Sequence, residues 1–72
     1  MGLMKNNIKL NDMVYSPTEI ASMLKSKRST IMKLIREGKI PSFKVGREIR
    51  VRAESLEQWM NEQEELRSVF HV

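Results

Sequence analysis

From Val14 onward the apolar positions switch between helical and strand-like spacing, and the switches mark out a short series of elements. Val14-Tyr15, a β-branched residue and an aromatic, suits a very short strand. Ser16-Pro17-Thr18-Glu19 then reads as a helix start. The Ser16 hydroxyl can accept from free backbone N–H groups, Pro17 suits the first helical position, and Glu19 completes a capping box. Ile20, Met23 and Leu24 follow at helical spacing, and Ala21 is small enough to let another helix approach closely. The chain turns near Lys25-Ser26-Lys27 into a second helix. There Ile31, Leu34 and Ile35 share one face, and Gly38 ends the helix as the residue that readily takes positive φ. Ile40-Pro41 cannot continue it.

The pattern then alternates: Phe43 and Val45, Ile49 and Val51, with polar residues between and Gly46 at the reversal of a β-hairpin. Two registers compete. A two-residue turn at Gly46-Arg47 sets Val45 opposite Glu48, which mixes apolar and charged residues on one face. A three-residue loop, Gly46-Arg47-Glu48, pairs Val45 with Ile49 and Phe43 with Val51 and gathers one apolar face, so this register is expected. It also sets Lys44 across from Arg50 on the outer face, an unfavourable pair that makes more sense beneath an anionic ligand. A third helix starts near Ala53, with Glu54 close to its positive end. Leu56, Trp59 and Met60 form its apolar stripe, and Leu66, Val69 and Phe70 are expected to extend it. Trp59 reads as a packing residue rather than a platform for bases.

The whole is expected to be one domain of residues 14–67, preceded by a mobile arm of residues 1–13 and followed by a frayed tail, 68–72. Seventy-two residues suffice for a single small core and leave little room for an enclosed substrate pocket. The chain has no cysteine and a single histidine, His71 near its end. A disulfide framework and a thiolate metal site are therefore excluded, and the composition suits a reducing, cytoplasmic setting. The polar stretch from Met1 to Met13 is not expected to act as a signal peptide, and no run of the sequence approaches transmembrane length. Glu19, Glu37, Glu48 and His71 form no recognisable acid–base pair or metal set, so no enzyme activity, cofactor, metal or small-molecule substrate is expected.

Charge sharpens the picture. The net charge is +4, but the first 52 residues hold twelve of the thirteen Lys and Arg against four acids, whereas the last twenty hold Arg67 against five glutamates. Cations gathered in one part of the chain point to a polyanion. At about 100° per residue, Ser29, Lys33 and Arg36 lie opposite the apolar face of the second helix, with Met32 on its flank. Lys27, Arg28, Ser29 and Thr30 crowd the first turn of this helix, where backbone N–H groups favour phosphate. Cations at that end oppose the helix dipole, so the helix itself does not account for Lys27 and Arg28. Lys44, Arg47, Arg50 and Arg52 fall on the tip or outer face of the hairpin. A basic helix face alone is common on solvated helices; a basic hairpin directly beside it is what argues for nucleic acid.

The run from Tyr15 to Trp59 resembles the excisionase-type winged helix-turn-helix, and distantly the DNA-binding domain of MerR regulators. The likeness is carried by Tyr15-Ser16, Glu19, Ile20-Ala21, Leu24, Thr30-Ile31 and Leu34-Ile35. It continues through Gly38-Lys39-Ile40-Pro41, Lys44-Val45-Gly46-Arg47, Arg50-Val51, Leu56 and Trp59. Gly-x-Ile-Pro followed by Lys-Val-Gly-Arg is its most specific part. The resemblance implies a mainly α fold of three helices plus a hairpin wing, with double-stranded DNA as partner. It further implies that Ser29 and Lys33 face base edges, that Lys27, Arg28 and Thr30 grip the backbone, and that Gly46-Arg47 forms a wing tip at the minor groove or flanking phosphates. One departure is clear: the family places Ser or Thr at the start of the second helix, where this chain has Lys27, with Ser26 one residue earlier. In function the resemblance implies an excisionase, or recombination directionality factor, of a phage or mobile element. Such a protein bends DNA near attachment sites and assists an integrase. A transcriptional regulator on the same domain is the alternative within DNA binding, and an antirepressor-like protein-interaction module the alternative outside it. An integrase or a second copy would meet the acidic third helix.

Overall fold

The computed structural model describes residues 13–70. Most of the expected arm of residues 1–13 lies outside this range, as does His71. The element order is β1 (Val14–Tyr15), α1 (Pro17–Met23), α2 (Arg28–Arg36), β2 (Phe43–Val45), β3 (Glu48–Arg52) and α3 (Ala53–Phe70). The three strands form one antiparallel sheet in the order β1-β3-β2. This is the expected winged helix-turn-helix, three helices plus a small sheet, with β1 added to the hairpin: Val14 pairs with Arg52 and Tyr15 with Val51.

Both ends of α1 follow from local chemistry. The Glu19 amide donates to the Ser16 hydroxyl at 3.1 Å, and the Ser16 amide donates to the Glu19 carboxylate at 2.8 Å, which completes the capping box. At its other end Lys25 takes φ 55°, the left-handed region. There the Lys25 amide donates to the Ser22 carbonyl at 3.2 Å and the Ser26 amide to the Ala21 carbonyl at 2.8 Å. Those two bonds are a Schellman cap built on a lysine where glycine is usual. The second helix ends in the same way on Gly38, φ 76°, whose amide donates to the Ile35 carbonyl while the Lys39 amide donates to that of Leu34. Two sharp, hydrogen-bonded stops thus set α1 against α2 and return the chain to the sheet.

The core is small and aliphatic: Ile20, Ala21, Ile31, Ile35, Ile40, Val51 and Leu56 are buried, with Tyr15, Leu24, Leu34, Ile49, Trp59 and Met60 packed around them. Trp59 is half-buried against this cluster and belongs to the packing, as expected. The apolar stripe of α3 stops at Met60. Residues 61–68 are all exposed, and Leu66, expected to continue the stripe, is 53% exposed.

The hairpin register is corrected. Phe43 pairs with Arg50, Lys44 with Ile49 and Val45 with Glu48, so the turn has two residues, Gly46-Arg47, not three. Gly46 takes φ 64° and Arg47 does not enter positive φ, the distribution of a type II′ turn with glycine first. A three-residue loop places its left-handed residue last, which would be Glu48. Turn chemistry therefore outranks the gathering of apolar side chains. Ile49 and Val51 face the core, while Phe43 and Val45 lie on the outer face with Glu48 and Arg50 and stay exposed. Lys44 and Arg50 stand on opposite faces, and the repulsion expected between them does not arise.

A candidate nucleic-acid interface

Helix α2 presents the face expected of it. Ile31 and Ile35 are buried and Leu34 half-buried, while Ser29, Thr30, Lys33 and Arg36 are exposed. Lys27 is the N-cap, with extended backbone and no side-chain cap hydrogen bond. Ser26 does not take that role, so the departure from the family's Ser or Thr leaves the start of the helix uncapped. Arg28, the first helical residue, donates from Nε to the Thr18 hydroxyl at 3.1 Å. That bond ties the first turns of α1 and α2 together and holds the guanidinium at their junction.

The wing supplies the second group of cations. Arg47 is exposed at the turn. Arg50 is half-buried and engaged with its own strand: Nη1 donates to the Ile49 carbonyl at 2.7 Å and Nη2 meets the Glu48 carboxylate at 3.2 Å. Between α1, α2 and the wing runs an open cleft of about 470 Å³, lined by Thr18, Arg28, Met32, Arg47, Glu48 and Arg50, among others. This cleft brings the helix and wing cations together, Arg28 from one and Arg47 and Arg50 from the other.

Not every expected site residue converges there. Arg36 sits in the last turn of α2, at the far end from Arg28. Lys44 is exposed on the sheet face opposite to Arg50. Arg52 lies at the base of the wing, 3.7 Å from the carboxylate of Glu54 in the first turn of α3. Six lining residues are not among the site residues expected from the sequence: Ser16, Pro17, Thr18, Met32, Glu48 and Ile49. For Glu48 a signal existed, since residues 48 and 50 share one face of any strand that contains both. Reading Glu48 as part of the loop hid it.

Among the described residues no group of three or more His, Cys, Asp or Glu is placed to hold a metal. No helix among them is long and apolar enough to cross a membrane.

The helix-turn-helix domain family matches residues 14–64, most of the chain, and the chain belongs to that family. It is also similar to the uncharacterized protein YvgK of Bacillus subtilis (strain 168), 40% identical over 45 residues. That match takes in 62% of this chain and only 15% of the relative, so the chain spans a small part of the relative's length. No solved structure matches it significantly.

Proposed function

We propose, from its membership of the helix-turn-helix domain family, that the chain binds duplex DNA with α2 in the major groove and the wing on the neighbouring backbone. The observation that carries this reading is the cleft in which Arg28 of α2 faces Arg47 and Arg50 of the wing. Two separate elements bring their cations to one cleft, which a solvated helix face does not require. Ser29 and Lys33 would meet base edges. Lys27, Arg28, Thr30 and Arg36 would lie along the backbone, with Gly46, Arg47 and Arg50 at the flanking phosphates or minor groove. Lys44 and Arg52, turned away or engaged with Glu54, would add long-range attraction rather than direct contact.

In biological role we propose an excisionase-type protein that binds and bends DNA near attachment sites and assists an integrase. The reading is supported by the Gly38-Lys39-Ile40-Pro41 and Lys44-Val45-Gly46-Arg47 segments. A second role, in transcriptional regulation, is the alternative on the same domain; a similar stretch of 45 residues forms a small portion of a much longer relative, as a module within a larger protein would.

The test is titration of wild type and Lys33→Ala against DNA of the encoding element and against random duplex. Raising salt from about 50 to about 200 mM should weaken wild-type binding by orders of magnitude if about five to eight phosphates are neutralised. Lys33→Ala should cost about 1–3 kcal/mol on the preferred site and much less on random duplex. Salt-independent binding refutes the DNA reading. Equal losses on both duplexes reduce Lys33 to a phosphate contact. A footprint over attachment-site DNA supports the excisionase role, and one over a promoter supports the regulator.

A further inference from the structure

We infer that Glu48 is a built-in brake on the affinity of this domain for the phosphodiester backbone. The inference rests on the DNA-binding reading above. Among the described residues, Glu48 is the one acid lining the cleft where Arg28, Arg47 and Arg50 meet. It is not distributed there as a remote surface charge: Oε1 lies 3.2 Å from Nη2 of Arg50, and the two residues stand on the same face of β3. The Ile49 carbonyl takes a second N–H of the same guanidinium at 2.7 Å. Arg50 is thereby folded back along its own strand, with two of its five N–H donors directed at its own chain.

The exposures show which partner is free to yield. The Glu48 side chain is 69% exposed and that of Arg50 33%. An ion pair this open contributes little to stability, so its removal leaves the fold intact. In the cleft its effect is larger. A phosphate approaching Arg28 and Arg47 meets the Glu48 carboxylate beside them, and Arg50 cannot turn its full set of donors to the phosphate until that carboxylate is displaced. Glu48 therefore acts twice, by repelling the phosphate and by occupying a cation that would neutralise it. For a protein that must release DNA, or discriminate a preferred site from the surrounding duplex, weakening the sequence-independent contacts is useful. These contacts strengthen every site alike.

The experiment compares wild type, Glu48→Gln, Arg50→Ala and the double variant on a short random-sequence duplex at about 50 and about 200 mM salt. Glu62→Gln is the control, since it makes the same charge change on an exposed turn of α3 beyond the core. Glu48→Gln should bind about two- to fivefold tighter than wild type, the range expected for freeing one exposed ion pair. Its salt slope should be steeper by about 0.9, one further phosphate neutralised. The gain should largely vanish in the Arg50→Ala background, and Glu62→Gln should show little of it. A Glu48→Gln protein that binds no tighter than wild type overturns the inference, as does an equal gain with and without Arg50. Should wild type itself show no salt-dependent binding, it is the DNA reading that fails, a result distinct from the other two. Melting temperatures within about 2 °C of wild type would confirm that each variant is compared in the folded state.

Discussion

Lys27 occupies a position at which stability and DNA binding should pull in opposite directions, and replacing it by serine separates the two. The molecule contains its own reference. Ser16, the N-cap of α1, has φ −85° and ψ 161°, and its hydroxyl accepts from the Glu19 amide at 3.1 Å. Lys27, the N-cap of α2, has φ −89° and ψ 146°, nearly the same backbone, yet makes no cap bond. The geometry for a cap is already present and only the oxygen is missing. Supplying it should stabilise the domain by about 1 kcal/mol. Removing a cation from the positive end of the dipole adds about 0.3–1 kcal/mol. The sum, about 1–2 kcal/mol, should raise the melting temperature of a domain this small by about 5–10 °C.

Binding should move the other way. If Lys27 sits on the DNA backbone, Lys27→Ser removes about one neutralised phosphate and flattens the salt slope by about 0.9, on preferred and random duplex alike. Lys27→Ala supplies the control, losing the charge without gaining a cap. It should bind DNA as weakly as the serine variant while melting about 1 kcal/mol less stably. Thermal melting and titration at two salt concentrations measure both quantities on the same samples. Equal melting temperatures for serine and alanine would refute the cap argument. A serine variant that binds with the wild-type slope would remove Lys27 from the interface and leave its position at the cap without explanation.

Three further predictions concern the frame that holds this surface. Lys25→Gly should stabilise by about 0.5–1 kcal/mol, the left-handed cost of about 1–2 kcal/mol relieved less the extra freedom of glycine in the unfolded chain. The mirror change Gly38→Ala should destabilise by about 1 kcal/mol through backbone conformation alone, since a Cβ there meets no atom within 4 Å. Thermal melts check both, and a drop for Lys25→Gly would refute the strain argument. Trp59→Ala should cost about 2–3 kcal/mol, below the range for a fully buried indole because Trp59 is half-buried. A variant that melts like wild type but no longer binds DNA would move Trp59 from the core to the interface.

What was legible in the sequence divides along the range of the interactions involved. The capping box of α1, the glycine stop of α2 and the faces of Ile31 and Ile35 against Ser29, Lys33 and Arg36 depend on neighbours within about one or two turns, and each is found where periodicity places it. The stop at Lys25 is equally local but was legible only as a turn. A non-glycine residue in the left-handed region carries no sequence signature, and its cost is met by the two Schellman bonds and by the packing of α1 on α2. The end of the α3 stripe depends on where the core ends, which periodicity does not record. Leu66 keeps the spacing but lies outside the core cluster of the described residues and stays 53% exposed.

The hairpin shows the competition most clearly. Two local rules disagreed over the same residues: the glycine-first turn called for two residues in the loop, and the alternation of Phe43, Val45, Ile49 and Val51 called for three. The alternation argument assumes that all four apolar side chains must share the buried face. A domain with one small core has no room for them, because Val51 with Ile49 beside it already fills the sheet's share. Phe43 and Val45 are left on the outer face at little cost, since β2 is an edge strand with one neighbour. That single shift of register also moves Glu48 out of the loop and onto the strand, beside Arg50. The ion pair on which the proposed brake depends is thus a consequence of turn type, set by glycine standing at position 46 and not two residues later.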